Sequence, residues 1–406
     1  MRALFVHKNF PAQFGHIASR LAQEHGWQCT FVSERPPVSA GGVDNIQYRL
    51  RGGATEKTHY CSRTFENGIW HAAGVFDALQ PVTSMVKPDV IVGHSGFGST
   101  LFLKELFPDT PIVGYFEWFY RPRGTDLDFR PDVPAHAIDV LRSRARNAMI
   151  LLDMEYSAAG YTPTEFQHSL MPEADKPKLR VLHDGIDTRF WRRHDVPDRK
   201  LGNLELGENT RLVTYVSRGL ESMRGFDIFM RAAKKIYTAY PDVKIVVVGE
   251  DRVAYGGDLA RIKGDSFRDH VLAQDEYDPD KIRFAGRVEP AMLARLLSLS
   301  DLHVYLTVPF VLSWSVFNAM ACEATILASD TAPVREVIKD GETGLLCDFF
   351  DADAFAAKAV EVLEQPEPFR DLGRSARRLV EERYSLGVIL PQMKSFYEEV
   401  ARAGTA

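Results

Sequence analysis

Cysteine is scarce in this chain, with Cys29, Cys61, Cys322 and Cys347 the four present among 406 residues. They have no metal-ligand spacing, and four thiols in a chain of this size do not make a disulfide framework. Long hydrophobic runs are missing too, since nothing approaches the roughly 18 apolar residues of a membrane span. The opening MRALFVHKNF is too short in apolar run and too soon polar for a signal peptide, so the expected location is cytoplasmic. No charge of one sign dominates. A net charge of -6 and a pI near 6.1 give no global drive toward nucleic acid or anionic lipid, and no nucleic-acid partner is expected. Local basic runs such as Arg142-Ser-Arg-Ala-Arg146 leave open a peripheral contact with a membrane surface or a phosphate-bearing acceptor, with a solvated helix face as the other reading. Short repeats and low-complexity segments are absent. So is an Asp-x-Asp pair at a strand end, because Asp126-Leu-Asp128 lies in a polar loop full of Arg and Pro. Metal dependence is therefore not indicated.

What is present reads as a soluble globular chain, 45% hydrophobic and 26% charged, long enough for two domains of roughly 200 residues each. Short apolar runs alternate with amphipathic stretches, the pattern of a parallel sheet covered by helices. In the first half the strand candidates are Ala3 to Val6, Gln28 to Val32, Val90 to Gly93, Ile112 to Tyr115, Ala148 to Leu152, Gly160 to Tyr161 and Arg180 to Leu182. A helix over His16 to Glu24 follows the loop from His7 to Gly15. The polar segment from Arg192 to Asn209 reads as an interdomain linker. The second half restarts with strands Leu212 to Val216, Lys244 to Val248, Ile282 to Phe284, Leu302 to Tyr305 and Thr325 to Ala328. Helices Gly225 to Tyr240 and Pro290 to Leu299, and one around Asn318, lie between them. Tyr255 to Asp280 reads as a long loop.

One stretch carries most of the functional information: Val308 to Asp330, VPFVLSWSVFNAMACEATILASD, continued by Ala332 to Leu346. It resembles the nucleotide-sugar-binding segment of the retaining family-4 glycosyltransferases, whose usual form is a glutamate, seven residues, a second glutamate, Ala-Met-Ala, a glycine and a buried strand. Set on Ala319-Met320-Ala321, the pattern places Phe310 and Asn318 at the two glutamate positions and Glu323 at the glycine. The resemblance extends to Tyr215-Val-Ser-Arg-Gly-Leu-Glu-Ser-Met-Arg-Gly-Phe-Asp227, where Arg218 matches the family arginine and Arg224 stands in place of its lysine. It reaches also to Val246-Val-Val-Gly249-Glu250, to Ala285-Gly-Arg-Val288 and, in the first half, to Lys87-Pro-Asp-Val-Ile-Val-Gly-His94.

The resemblance implies an α/β fold of two Rossmann-like domains facing a cleft, of the GT-B type. Residues 1–190 would form an N-terminal acceptor-side domain, 191–385 a C-terminal nucleotide-sugar domain, and 386–406 a helix crossing back to the first. It further implies a metal-independent, hexosyltransferase-type enzyme that moves a sugar, with retention, from a nucleoside-diphosphate sugar, expected to be UDP-linked, to a carbohydrate or small-molecule acceptor. Such an enzyme uses no cofactor beyond that co-substrate. Catalytic candidates are His94, Glu117, Arg218 and Arg224. Two cations at a strand end suit a leaving diphosphate, on which negative charge builds as the glycosidic bond breaks. Donor-binding candidates are Gly15, Gly249, Arg287, Val288, Asn318 and the helix-start backbone donors of Leu312, Ser313, Trp314 and Ser315, which with the helix dipole suit a diphosphate. Asn318 keeps an acceptor for ribose but lacks the charge-assisted strength of a carboxylate. Phe317 and Met320 read rather as the apolar face of a core helix, Phe310 either as its lead-in or as a donor-site residue, and Tyr115, Phe116, Trp118, Phe119 and Tyr120 either as a sugar face or as core. The missing acids motivate a second hypothesis, a glycosyltransferase fold that binds or partners without much catalysis.

Overall fold

The computed structural model describes residues 1–36 and 41–404. The chain forms two units, Met1–Gly185 with Gly387–Ala406, and Ile186–Leu386. Each is a parallel sheet with helices between its strands.

In the first unit seven strands are ordered β3-β2-β1-β4-β5-β6-β7: β1 Arg2–Val6, β2 Gln28–Ser33, β3 Val43–Gln47, β4 Val90–His94, β5 Ile112–Tyr115, β6 Ala159–Thr162 and β7 Leu179–Val181. All neighbouring pairs are parallel. The continuous apolar runs that predicted these strands are buried on both faces. Leu4, Phe5, Val6, Val90, Ile91 and Val92 are wholly inaccessible, each contributing about 1.5–3 kcal/mol of transfer free energy. Chain order reverses between β1 and β4, so the crevice beyond their carboxyl ends is the topological switch point of this sheet. The terminal helix Leu386–Ala403 closes the unit. Its Tyr397 is wholly buried with its hydroxyl 3.2 Å from that of Tyr161, and Glu399 pairs with Arg180 at 2.6 Å.

In the second unit a hairpin of β8 Lys200–Leu201 and β9 Leu204–Glu205 precedes six parallel strands ordered β12-β11-β10-β13-β14-β15. These are β10 Arg211–Gly219, β11 Val243–Glu250, β12 Ile282–Gly286, β13 Leu302–Tyr305, β14 Ile326–Ser329 and β15 Leu345–Cys347. Order reverses here between β10 and β13. Phe317 and Met320 are buried in this unit's core with Val216, Val248 and Ile326, so of their two readings the core one holds.

Three expectations are corrected. Ala148 to Leu152 is no strand but part of the Ala137–Tyr156 helix, in which Asp139 accepts from the His136 N–H at 3.2 Å. A short apolar run cannot by itself separate strand from helix. The segment 192–209 holds the β8–β9 hairpin and sends Leu201 and Leu206 into the second unit's core. The stretch from Tyr255 to Asp280 is not loop throughout, for it contains a 3-10 turn at Asp258–Ala260 and a helix at Phe267–Leu272. Strand β3 and the Arg63–Leu79 helix had no expectation attached. Glu323, at the family's glycine position, caps the Trp314–Ala321 helix with a φ of 61°. A left-handed residue is easiest for glycine, which is the physical reason for a glycine there.

Candidate functional site

At the first unit's switch point two histidines stand at adjacent strand ends. His94 closes β4 and His7 follows β1; both are 3% exposed, with ring centroids 5.0 Å apart. Nδ1 of His7 lies 2.8 Å from the Asn9 backbone nitrogen and 3.0 Å from the Asn9 carbonyl oxygen, which holds the ring against the turn after β1. Burial, reinforced by His94, holds His7 well below the usual histidine value, so it is neutral. Nδ1 of His94 lies 2.6 Å from the Ser95 carbonyl oxygen, which only accepts, and therefore carries a proton. Its Nε2 faces Oε2 of Glu117 at 3.5 Å, a contact that is attractive when a proton sits between them. Glu117 is fixed in turn: Gln13 donates to its Oε1 at 3.0 Å and Gln167 to its backbone carbonyl. The structure thus brings His94 and Glu117 together. Tyr115, Phe116, Trp118 and Phe119 are buried, and Arg146 lies over the Tyr120 ring at 3.7 Å. Of the two readings of that aromatic run, packing is the one observed. Gly15 opens the Gly15–His25 helix at a close approach, since a Cβ there would meet that of Pro11 at 2.3 Å.

The second unit's remaining candidates gather at the carboxyl edge of its sheet. Arg218 ends β10 and is exposed; among the described residues it has no ion-pair partner. Arg224 follows in the next turn and is 5% exposed. Its Nη1 donates to Thr307 Oγ1 at 2.7 Å, and the rings of Tyr255 and Phe310, 5.2 Å apart, lie 5.5 and 5.7 Å from its guanidinium carbon. No carboxylate among the described residues pairs with it either. A buried cation whose hydrogen-bond and ring partners are all neutral is costly, and an incoming anion would relieve that cost. Phe310 therefore forms part of an aromatic cover over the cation.

Glu221 is wholly buried beside this turn and accepts from the backbone N–H groups of Ala254 and of Tyr255, the latter at 2.8 Å. Asp258 accepts from the Ser222 N–H at 2.8 Å and from its hydroxyl at 2.5 Å. The two acids tie the Tyr255 segment to the turn that carries Arg224. Burial pushes the Glu221 carboxyl up to about 7, against the opposing pull of those N–H groups and of Arg224, so near neutral pH it only partly offsets the arginine. The unfolded chain releases this proton near 4.5 and the folded chain near 7. Between those values the folded state holds the extra proton, and stability falls as pH rises. Glu221→Gln is expected to remove about 2 kcal/mol of that loss between pH 4.5 and 6. Denaturant midpoints of the two proteins across that range measure it; parallel profiles would contradict it.

Ser313 caps the Trp314–Ala321 helix. Among the expected backbone donors, the Ser313 N–H meets the Tyr305 hydroxyl at 2.9 Å and the Ser315 N–H meets Ser313 Oγ at 3.2 Å. Leu312 is buried, Trp314 is exposed, and Asn318 is half-buried in the second turn. Gly249 is the penultimate residue of β11, where a Cβ would meet the Ser217 carbonyl oxygen at 2.7 Å. Arg287 is exposed and Val288 half-buried just past β12. Among the described residues no group of three or more His, Cys, Asp and Glu is placed to hold a metal. No helix of the described chain is long and apolar enough to cross a membrane.

His7, Gln13, Glu221, Tyr255, Tyr305 and Thr307 were not singled out from sequence. Only His7 had a usable signal, a polar residue directly after a buried strand. The others act by supporting a residue distant in sequence.

Two Rossmann-like units, each a parallel sheet with a switch point, are the architecture of the GT-B fold. Residues 25–191 match the glycosyl transferase family 4 group and residues 198–379 the glycosyl transferases group 1. The chain belongs to the family-4 glycosyltransferases. It is 27% identical over 244 residues to the N-acetyl-alpha-D-glucosaminyl L-malate synthase of Bacillus anthracis, covering 59% of this chain and 60% of that protein. It is 29% identical over 203 residues to the phosphatidyl-myo-inositol mannosyltransferase of Mycolicibacterium smegmatis, covering 48% and 46%. The matched stretch thus spans about half to three fifths of these curated relatives. The fold superposes on sucrose-phosphate synthase of Thermosynechococcus elongatus with a TM-score of 0.78 at 18% identity, covering 99% of this chain and 100% of that one. It superposes on Anabaena HepE in complex with UDP-glucose with a TM-score of 0.72 at 14% identity, covering 98% and 100%.

Proposed function

We propose that the protein transfers a hexose-type sugar, with retention of configuration and without a metal, from a UDP-linked donor to a carbohydrate or small-molecule acceptor. The observation that carries this reading is the pair Arg218 and Arg224, cations without carboxylate partners at the switch point of the second unit's sheet. There they would bind the diphosphate and stabilise charge on it as it leaves. HepE, of the same fold, is described with UDP-glucose bound, which supports the uridine assignment. Gly249, Arg287 and Val288 would approach the nucleotide, the Trp314 helix start would face the diphosphate, and Asn318 would accept from ribose. On the first unit, His94 is assigned to the reacting sugar, Glu117 to orienting it or to acceptor hydroxyls, and Gly15 to the loop nearest the diphosphate. The acceptor oxygen would bond to the anomeric carbon on the face the diphosphate leaves, its proton passing to the departing phosphate.

UDP release from a set of UDP-sugars tests the proposal, because slow hydrolysis needs no identified acceptor. Release from at least one is expected. Binding of UDP without release from any would favour the second reading, a donor-binding partner with little catalysis, to which Phe310 over Arg224 and the amide at Asn318 lend support. Asn318→Glu is expected to tighten UDP about 10-fold by restoring a charge-assisted contact to ribose. Titration calorimetry measures this, and an unchanged affinity would mean the ribose is held elsewhere.

A further inference from the structure

Asp153 sits in the last turn of the Ala137–Tyr156 helix, on its inward face, and is buried. Both circumstances disfavour a carboxylate, since burial strips its water and the carboxyl end of a helix is the negative end of its dipole. No Lys or Arg among the described residues pairs with it. Its hydrogen bonds all go to one turn. Oδ2 accepts from the Ser95 hydroxyl at 2.7 Å and from the Gly96 N–H at a long 3.4 Å, and Oδ1 accepts from the Thr100 hydroxyl at 2.6 Å. This turn begins directly after His94 at the end of β4 and bends through Gly96 and Gly98, with φ of 90° and 84°. Its Phe97 ring lies 4.6 Å from that of His94. Earlier on the same helix face, Asn147 bonds both backbone groups of Tyr120 at 2.9 Å, in the segment after β5 that carries Glu117.

One peptide unit joins Asp153 to the imidazole. The C=O and N–H of a trans peptide point in opposite directions. Between Ser95 and Gly96 the N–H is turned toward Asp153, so the C=O is turned away from it, and there it accepts from Nδ1 of His94 at 2.6 Å. We infer that Asp153 is a positioning residue for His94: by anchoring the Ser95–Gly96 peptide it aims the carbonyl that fixes the imidazole and its Nδ1 proton, leaving Nε2 to face Glu117. Hydrogen bonds in a chain polarise one another, so the carboxylate also strengthens the carbonyl as an acceptor. The inference rests on the assignment of His94 to the reacting sugar.

A double-mutant cycle tests this, with UDP release from the UDP-sugar hydrolysed fastest, at pH 8, where a carboxyl pushed up by burial to about 6 is ionised. Asp153→Asn keeps the shape and all three partners, because its NH2 can donate to the Thr100 hydroxyl, and it removes the charge. It is expected to lower kcat about 10-fold and Asp153→Ala about 100-fold, with KM and UDP affinity unchanged, and both losses should shrink below about two-fold in a His94→Ala background. A carboxylate that only ties the helix to the turn would, when replaced, lower the melting temperature and leave kcat intact, or cost the same with and without His94; either result would overturn the inference. The ring nitrogens of the full chain labelled with 15N-histidine give a reading independent of activity, with His94 assigned by its absence in His94→Ala. Asp153→Asn is expected to move the His94 signals and leave those of His303, buried in the second unit, in place. Unmoved His94 signals would overturn the inference even where Asp153→Ala fails to fold. Unchanged UDP release in His94→Ala would sink the assignment of His94 itself, and the ring spectrum then decides the role of Asp153 alone.

Discussion

Arg218→Ala is expected to lower turnover about 10³-fold while leaving the melting temperature unchanged. Removing one pre-organised donor from a charge that develops in the transition state costs roughly 3–4 kcal/mol of barrier. Arg218 is exposed and, among the described residues, pairs with no acid, so its loss takes nothing from the folded state. Arg224 is the less clean target. It is buried and donates to Thr307 at 2.7 Å, and Arg224→Ala would confuse lost catalysis with an emptied cavity and a stranded hydroxyl. UDP release under single-turnover conditions, beside a thermal melt, checks the expectation. Unchanged turnover would mean that the leaving group is stabilised by something other than this arginine.

His94→Ala is expected to be comparably severe, also about 10³-fold in kcat, within the range for removing a positioned proton-transfer or sugar-contacting group. The structure adds a sharper expectation about Glu117. The facing atoms Nε2 and Oε2 stand 3.5 Å apart, and the ring is held through Nδ1 by the Ser95 carbonyl, so on the proposed reading in which Glu117 orients His94 the carboxylate would act through the imidazole. Glu117→Gln should then be much milder alone, and the double variant no worse than His94→Ala, a non-additivity that residues acting as a unit display. Fully multiplicative losses in kcat would separate the two residues and assign Glu117 to the acceptor directly.

Much of this site was legible in the sequence because buried parallel strands are continuous apolar runs and their carboxyl ends are where ligands bind. Reading Val90 to Gly93 as a strand put His94 at an end, and reading Leu212 to Val216 did the same for Arg218. The strand length was underestimated there: β10 runs to Gly219, and Arg218 lies in the irregularity between the paired Val216 and Gly219. What stayed hidden was whatever depends on distant partners. Nothing about Glu221 in sequence reveals that it holds the backbone of Ala254 and Tyr255, or that Tyr255 then meets Phe310 over Arg224. Phe310 looked like a missing acid; in the fold it is half of an aromatic cover. The helix start at Trp314 was legible as a helix start, but not that the Ser313 and Ser315 N–H groups bond the Tyr305 hydroxyl and Ser313 Oγ. The stretch from Ala148 to Leu152 misled for a reason now visible. Its outward leucines made an apolar run that only the inward Asn147, Ile150 and Met154 identify as helix, and in the fold Leu151 and Leu152 are exposed.

The account rests most directly on nucleotide recognition by the second unit, and thermal stabilisation by UDP, GDP, ADP and TDP measures that. A ligand bound by the folded state alone at 100 times its Kd adds about 2.7 kcal/mol, a shift of a few degrees in Tm. The predicted result is a clear rise with UDP, larger than with the other three, and its loss in Arg218→Ala. No rise with any nucleotide would contradict the proposed donor site.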